Sequence, residues 1–359
     1  MTVDVTTDRS TALRRYLEFG RTVDRLLVHR YAVNEVFVTD LIKTGPDTTL
    51  VGAQLPLSHP YFLDAVGAPA EYGVLLLAEA ARQACTYIAH ERFAVPVGWK
   101  FLISSMSIAL HDATPLPIGD RPAELTAAAR TSGAELRGGF LRTLDAALDL
   151  SVDGAPVATM TGRGRYLSPD EYEVRRAGRR TGDVPLSTSL PVRPHGIAVA
   201  PRLVGRSDHR NVLLVDARRA PDGVTARLAV SGRHPTIFDH PLDHVPGMAV
   251  MEAASQAALL AMAMRDGRGS PRAARVVALQ GDFMRFAELD AEVILRARLE
   301  ADLDGAHGAD GADGVHRTDG EPGTVAAQVR LTDADGVLAE LRILMSEVPS
   351  GPASERMWI

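Results

Sequence analysis

The chain has 359 residues, 46% of them apolar and 23% charged, with a net charge of −6. This is the composition of a globular protein with room for two cores, and it offers no basic field to attract nucleic acid. Cys85 is the single cysteine, which excludes an intrachain disulfide and a cysteine-rich zinc site; set among alanines at helical spacing, it reads as a small packed side chain.

In chain order, residues 1–24 read as an N-terminal extension with a short polar helix at 8–20. The extension has no apolar core of signal-peptide type. No apolar run reaches the ~20 residues needed to cross a bilayer, so a cytoplasmic protein without a membrane partner is expected. Strands are predicted at 26–40 and 48–55, followed by a loop holding Pro56 and the His59-Pro60 pair. Residues 72–91 are rich in Ala and Leu and free of Pro, which predicts a long helix. Four strands follow at 99–110, 123–131, 138–150 and 155–167, separated by Gly, Pro and Asp turns.

Residues 168–196, rich in Pro, Arg, Gly and Ser, read as a linker. Arg175, Arg176, Arg179 and Arg180 lie within it, as a solvated connector or as a docking patch for an acidic partner such as acyl carrier protein. Beyond it the order repeats, with strands at 209–217 and 223–231, a loop at 234–247 and a helix at 248–265. Strands at 274–286, 290–302, 323–333 and 337–346 complete the second half, and residues 347–359 form a tail. Residues 302–323 have almost no large apolar side chain and read as a disordered insertion, so His307 and His316 are poor ligand candidates.

The repetition extends to single residues. LLLAEAARQA (75–84) and MAVMEAASQA (248–257) state one helix twice, so Glu79 corresponds to Glu252 and Gln83 to Gln256. His59-Pro60 and His234-Pro235 stand upstream of the two copies. A carboxylate in an apolar helix costs several kcal/mol unless something compensates it, so two copies demand a reason. The predicted architecture is an α+β double hotdog: two repeats, 25–167 and 197–346, each a long helix wrapped by an antiparallel sheet, fused as the covalent form of a hotdog dimer. Either a monomer of this kind or a homodimer fits.

The segment FDHPLDHVPGMAVMEAASQAALL (238–260) resembles the second repeat of the A-factor biosynthesis (AfsA-type) hotdog family. VHRYAVNEVFVTD (28–40) and LLLAEAARQACTYIAHERFAVP (75–96) resemble its first repeat, and the likeness runs from about 25 to 346. It implies transfer of a β-ketoacyl group from an acyl carrier protein or CoA thioester to the hydroxyl of a small phosphorylated acceptor, dihydroxyacetone phosphate or a relative. γ-Butyrolactone signal or related specialised-metabolite biosynthesis would be the setting. The fold relates equally to dehydratases, cyclases and thioesterases, and fold alone does not fix the reaction. One departure stands out: the second repeat of signalling synthases commonly carries arginine where this chain has Ser255, while the first repeat keeps Arg82.

For acyl transfer, Glu252 is the first candidate for the general base and Glu79 the second, each expected to face an apolar channel that raises its proton affinity. The loop HVPGM (244–248) places Pro246 and Gly247 at a helix start, where free N–H groups can hydrogen-bond a thioester carbonyl. His240 and His244 are the catalytic histidine candidates; His59, His234, Gln83 and Gln256 are assigned to substrate binding. Arg82 is placed either in a surface ion pair or on phosphate or phosphopantetheine, and Arg285 either at the channel mouth or in a strand-end salt bridge. Phe238 and Ala65 occupy the positions from which a hotdog dehydratase presents its histidine, which weakens dehydration. Asp239, His240, Asp243 and His244 read as a hydrogen-bonded loop rather than a metal site. No Walker, G-x-G-x-x-G-in-context or G-x-S-x-G motif occurs, so no cofactor is expected. The third alternative is a non-catalytic acyl or lactone sensor, though no basic helix-turn-helix segment supports DNA binding.

Overall fold

A computed structural model describes residues 13–65, 70–178, 182–265, 274–300 and 324–347. In the first half, β1 (Val38–Lys43) and β2 (Thr48–Leu55) precede α1 (Val74–Phe93), then come β3 (Lys100–Leu110), β4 (Ala123–Arg137), β5 (Phe140–Val152) and β6 (Ala155–Leu167). A helix α2 (Pro169–Ala177) leads to the second half. That half contains β7 (Leu214–Ala220), β8 (Gly223–Leu228), β9 (His244–Val245), α3 (Gly247–Arg265), β10 (Ala274–Phe283) and β11 (Ala287–Glu288). It closes with β12 (Ile294–Leu299), β13 (Thr324–Asp333) and β14 (Gly336–Glu347).

Twelve strands form one antiparallel sheet in the order β1-β2-β4-β5-β6-β3-β10-β14-β13-β12-β8-β7. The second half thus mirrors the first about the β3–β10 seam, where Met106 pairs with Gly281 and Ile108 with Leu279. Each half-sheet curls over its own helix. Leu76, Leu77, Ala80, Ala84 and Ile88 of α1 are all essentially inaccessible, as are Met251, Ala254, Ala258 and Leu260 of α3. A helix enclosed this way must be apolar nearly all round, and each large side chain so buried contributes about 1.5–3 kcal/mol. Among the described residues α3 alone is long and apolar enough to cross a membrane, and most of it is buried inside the sheet. α1 ends where Ala94 turns left-handed and donates its N–H to the carbonyl of Ala89, with His90 and Arg92 favourably placed in the last turn.

The double-hotdog reading holds, with local corrections. Residues 26–37 are not a strand but contain two 3-10 turns, Arg25–Val28 and Val33–Glu35. The chain is bent there because Arg30 reaches down to Glu79 of α1. The predicted polar helix at 8–20 lies partly outside the described residues; inside them, Arg14–Tyr16 is a single 3-10 turn. The supposed linker begins with α2, whose start has a capping box between Ser168 and Glu171 and Pro169 in the first turn. Arg176 of this helix is neither solvated nor a docking group. It is buried, with its guanidinium on Glu288 and Asp243. Arg179, Arg180 and the insertion 302–323 fall outside the described residues.

Candidate active site

The helix carboxylates serve the scaffold. Oε1 of Glu79 accepts from Arg30 (Nη2, 2.6 Å), Arg82 (Nη2, 2.8 Å) and Gln83 (Nε2, 2.8 Å), and Oε2 accepts from Arg82 Nε at 2.8 Å. Nη1 of Arg30 donates to the carbonyl of Thr236, in the His-Pro loop of the other half. The second repeat copies this connection. Glu252 Oε1 accepts from Arg206 (Nε, 2.8 Å) and Gln256 (Nε2, 2.6 Å), while Nη1 of Arg206 donates to the carbonyls of Tyr61 and Asp64 in the first half. Each glutamate therefore holds an arginine that fastens the opposite repeat. Here lies the compensation that the duplicated carboxylates required.

The glutamines and loop histidines belong to the same framework. Gln83 accepts from the N–H of Phe37 and donates to the carbonyl of Glu35; Gln256 does likewise with Leu213 and Asn211. Nδ1 of His59 accepts the N–H groups of Tyr61 and Phe62, and its Nε2 lies 3.4 Å from Glu35. His234 accepts from the N–H of Ile237 and contacts Asn211 Oδ1 at 3.1 Å. Burial and the nearby Arg206 lower the His234 pKa to about 4, keeping it neutral.

The substantial cavity among the described residues lies elsewhere, between α1 and the loop leading into α3, with a volume of about 720 Å³. His29, Arg82, Cys85 and Lys100 line it from the first repeat. From the second come Asp239, His240, Asp243, His244, Gly247 and Arg285. The loop turns here because β9 pairs with β11 (Val245 with Ala287) and because α2 clamps it. The Tyr172 hydroxyl sits 2.9 Å from both oxygens of Asp243, and Arg176 donates to the Asp243 carbonyl.

Two Asp–His pairs follow one another in D-H-x-x-D-H (239–244). Nδ1 of His240 is 2.6 Å from Asp239 Oδ1, and Nδ1 of His244 is 2.7 Å from Asp243 Oδ1. Burial pushes the Asp239 carboxyl up, but the hydrogen bond from His240, the Arg30 charge and the N–H of Tyr31 outweigh it and hold the group ionised. Asp243 is likewise held well below the carboxylate range, its burial outweighed by His244, Tyr172 and Arg176. Facing an ionised oxygen, each Nδ1 must carry the hydrogen, and Nε2 is the basic nitrogen. His240 also stacks on Tyr31, with ring centroids 4.5 Å apart and planes at 14°.

Of the residues singled out in the sequence, His240, His244, Gly247, Arg82 and Arg285 meet in this cavity. Glu79, Glu252, Gln83, Gln256, His59 and His234 do not line it. The expected general base is thereby corrected: Glu79 and Glu252 are buried and ion-paired, and Arg30 and Arg82 overcome burial to push the Glu79 carboxyl far down rather than up. The substrate-binding assignment of Gln83, Gln256, His59 and His234 is corrected as well, since none of them lines the cavity and each is bonded to framework backbone. Arg285 combines both readings, lining the cavity while pairing with Asp333 at 2.7 Å. An alanine methyl at Gly247 would sit 3.4 Å from Ile103 and 3.6 Å from Phe283, in ordinary contact, so protein packing does not demand glycine there. The Cys85 thiol is pushed up to about 12 by burial, which suits a packed group and not a nucleophile.

Sequence reasoning missed Arg30, Arg206 and Tyr172. Aligning the halves at Arg30 and Arg206 would have revealed both arginines, and Ser168 with Glu171 signalled α2. Pseudo-symmetry also fails at one place. Among the described residues, the cavity at the start of α1 has a volume of only about 10 Å³. Arg275 there pairs with Glu71 at 2.7 Å, whereas its counterpart Lys100 stays exposed at the open cavity. Arg82 lies on the open side, and its counterpart Ser255 is buried, its hydroxyl bonded to the Met251 carbonyl.

Comparison with known proteins agrees with this architecture. The family described as the A-factor biosynthesis hotdog domain matches residues 11–168 and 188–310. A 2-oxo-3-(phosphooxy)propyl 3-oxoalkanoate synthase from Streptomyces virginiae is 34% identical over 278 residues, 77% of this chain and 87% of the relative. A synthase of the same name from Streptomyces coelicolor is 35% identical over 282 residues, 77% of this chain and 82% of its own. Among solved structures, the pyran synthase domain from module nine of the sorangicin pathway gives a TM-score of 0.48 at 14% identity, covering 87% of this chain and 97% of that one.

Proposed function

As a member of the A-factor biosynthesis hotdog family, to which this chain belongs, the protein is an enzyme; we propose that it transfers a β-ketoacyl group from a thioester to the hydroxyl of a dihydroxyacetone phosphate-like acceptor. The relatives' name describes such an ester: a 3-oxoalkanoate joined to a 2-oxo-3-(phosphooxy)propyl alcohol. The observation that carries the reading is the single cavity holding an Asp–His pair, a helix N-terminus and a guanidinium together.

Nε2 of His240 takes the proton of the acceptor hydroxyl as the oxygen attacks the thioester carbonyl. The N–H groups of Gly247 and Met248, which open α3, face the oxyanion formed on that carbonyl. Collapse breaks the C–S bond, and the departing thiolate recovers the proton from the His240 imidazolium. Asp239 fixes the tautomer and supports the imidazolium charge. His240 suits this role better than His244 because Asp243 is already offset by Arg176 at 3.2 Å, whereas the guanidinium nearest Asp239, Arg30, is 3.7 Å away and engaged with Glu79. Arg82, whose Nη1 has only a 3.4 Å contact with Thr86, takes the acceptor phosphate. Acyl carrier protein or CoA bears the thioester.

The test is incubation with a β-ketoacyl carrier-protein thioester and dihydroxyacetone phosphate, with products identified by mass spectrometry. A phosphate-bearing ester is expected, and His240→Ala should lower kcat about 10²–10⁴-fold while leaving folding intact. Loss of water or release of free acid in place of the ester would overturn the reading.

A further inference from the structure

His29 belongs to a stretch that the mechanism leaves unused, and its hydrogen-bonding state is fixed by its neighbours. Nδ1 of His90 lies 2.6 Å from the carbonyl of Val95, which only accepts, so that nitrogen carries a hydrogen. Burial lowers the pKa of His90, keeping it neutral, so its Nε2 has a bare lone pair. Nε2 of His29, 3.2 Å away, must then be the donor. Nδ1 of His29 is left as a lone pair at a residue that lines the cavity, without a hydrogen-bond partner among the described residues. Burial, followed by the charge of Arg82, lowers the His29 pKa to about 3, so this nitrogen stays an acceptor. The ring is held in place by Phe101, 4.3 Å away, and by the left-handed backbone of His29 itself.

Resting on the acyl-transfer reading, we propose that Nδ1 of His29 accepts a hydrogen bond from an amide N–H of the pantetheine arm of the thioester. The substrates allow little else. A β-ketoacyl chain has no O–H or N–H. The acceptor has one hydroxyl proton, which goes to His240, and its phosphate is an acceptor. The arm's amides are the uncharged donors that remain, and a buried amide left unpaired is strongly penalised. The location agrees, since Lys100, exposed at the cavity, neighbours His29.

The test compares two unreactive thioether analogues of the acyl cysteamine, one with the amide N–H and one with an ester oxygen in its place, by calorimetry. Wild-type protein should prefer the amide about 10-fold. In His29→Phe, which keeps a ring but offers no acceptor, the preference should fall to about 1, whereas His29→Asn, which tolerates the left-handed backbone and whose Oδ1 can accept, should keep part of it. A general loss of packing would weaken both analogues together and leave their ratio unchanged. A preserved ratio in folded His29→Phe overturns the proposal, as does a variant that changes only the KM of the phosphorylated acceptor. The binding readout is independent of turnover, so failure of the acyl-transfer reading shows separately as absence of ester product.

Discussion

Replacing Glu252 by glutamine separates a scaffold carboxylate from a catalytic one. The substitution keeps size and shape but removes the negative charge facing Arg206, a guanidinium whose side chain is 8% exposed, against 6% for Glu252. Arg206 would remain buried facing a neutral amide in place of a carboxylate, with the carbonyls of Tyr61 and Asp64 as its other partners. Breaking one side of a buried pair typically costs about 3–5 kcal/mol. For a chain of this size each kcal/mol is worth about 2 °C in Tm, so a drop of about 6–10 °C is expected. Because Glu252 does not line the cavity, kcat measured below the new Tm should fall less than about 3-fold, far from the 10²-fold or more expected for loss of a general base. Thermal unfolding and steady-state acyl transfer on the same preparation decide it. An inactive variant with unchanged Tm would refute the scaffold argument and restore Glu252 as the proton acceptor.

Two further outcomes follow from the same geometry. Arg82→Ala should raise the KM of the phosphorylated acceptor about 10–100-fold while barely affecting unphosphorylated dihydroxyacetone, since Glu79 keeps Arg30 and stays paired; equal effects on both acceptors would remove Arg82 from the phosphate. His29 and His234 are neutral in the folded chain, with pKa values lowered to about 3 and about 4, below the ordinary 6.5. In that interval the unfolded chain binds more protons, so stability is fully present above pH 6.5 and falls as pH drops toward 4 and then 3. For His234 the loss amounts to at most about 3 kcal/mol. Thermal melts of wild type and His234→Gln across this range should show a shallower acid slope in the variant, and parallel slopes would contradict the assignment.

The order of elements was legible because periodicity and turn residues report local preference. The two Ala-rich helices and nearly every strand fall within a few residues of their predicted bounds, and the repeated E-x-x-x-Q exposes the duplication. What a carboxylate does is a different kind of question, because it depends on which charges lie nearby in space. Glu79 and Glu252 sit in apolar helices, and local sequence predicts a raised proton affinity; for Glu79 the charge of Arg30, distant in the chain, reverses that conclusion, and Glu252 is ion-paired with the equally distant Arg206. The same limit hid the use of the His-Pro loops, since His59 and His234 bind backbone that only the folded chain brings near them.

Sequence by itself determined the double repeat, the two buried helices, the family and the cluster of Asp and His before α3. Only the tertiary structure showed that the cavity before α3 is open with Lys100 exposed at it, and that Arg275 pairs with Glu71 at the start of α1. It also showed that the helix glutamates are spent on buried ion pairs while His240 lines the open cavity. The reason is physical: burial and charge pairing arise from residues far apart along the chain, and no local pattern encodes them.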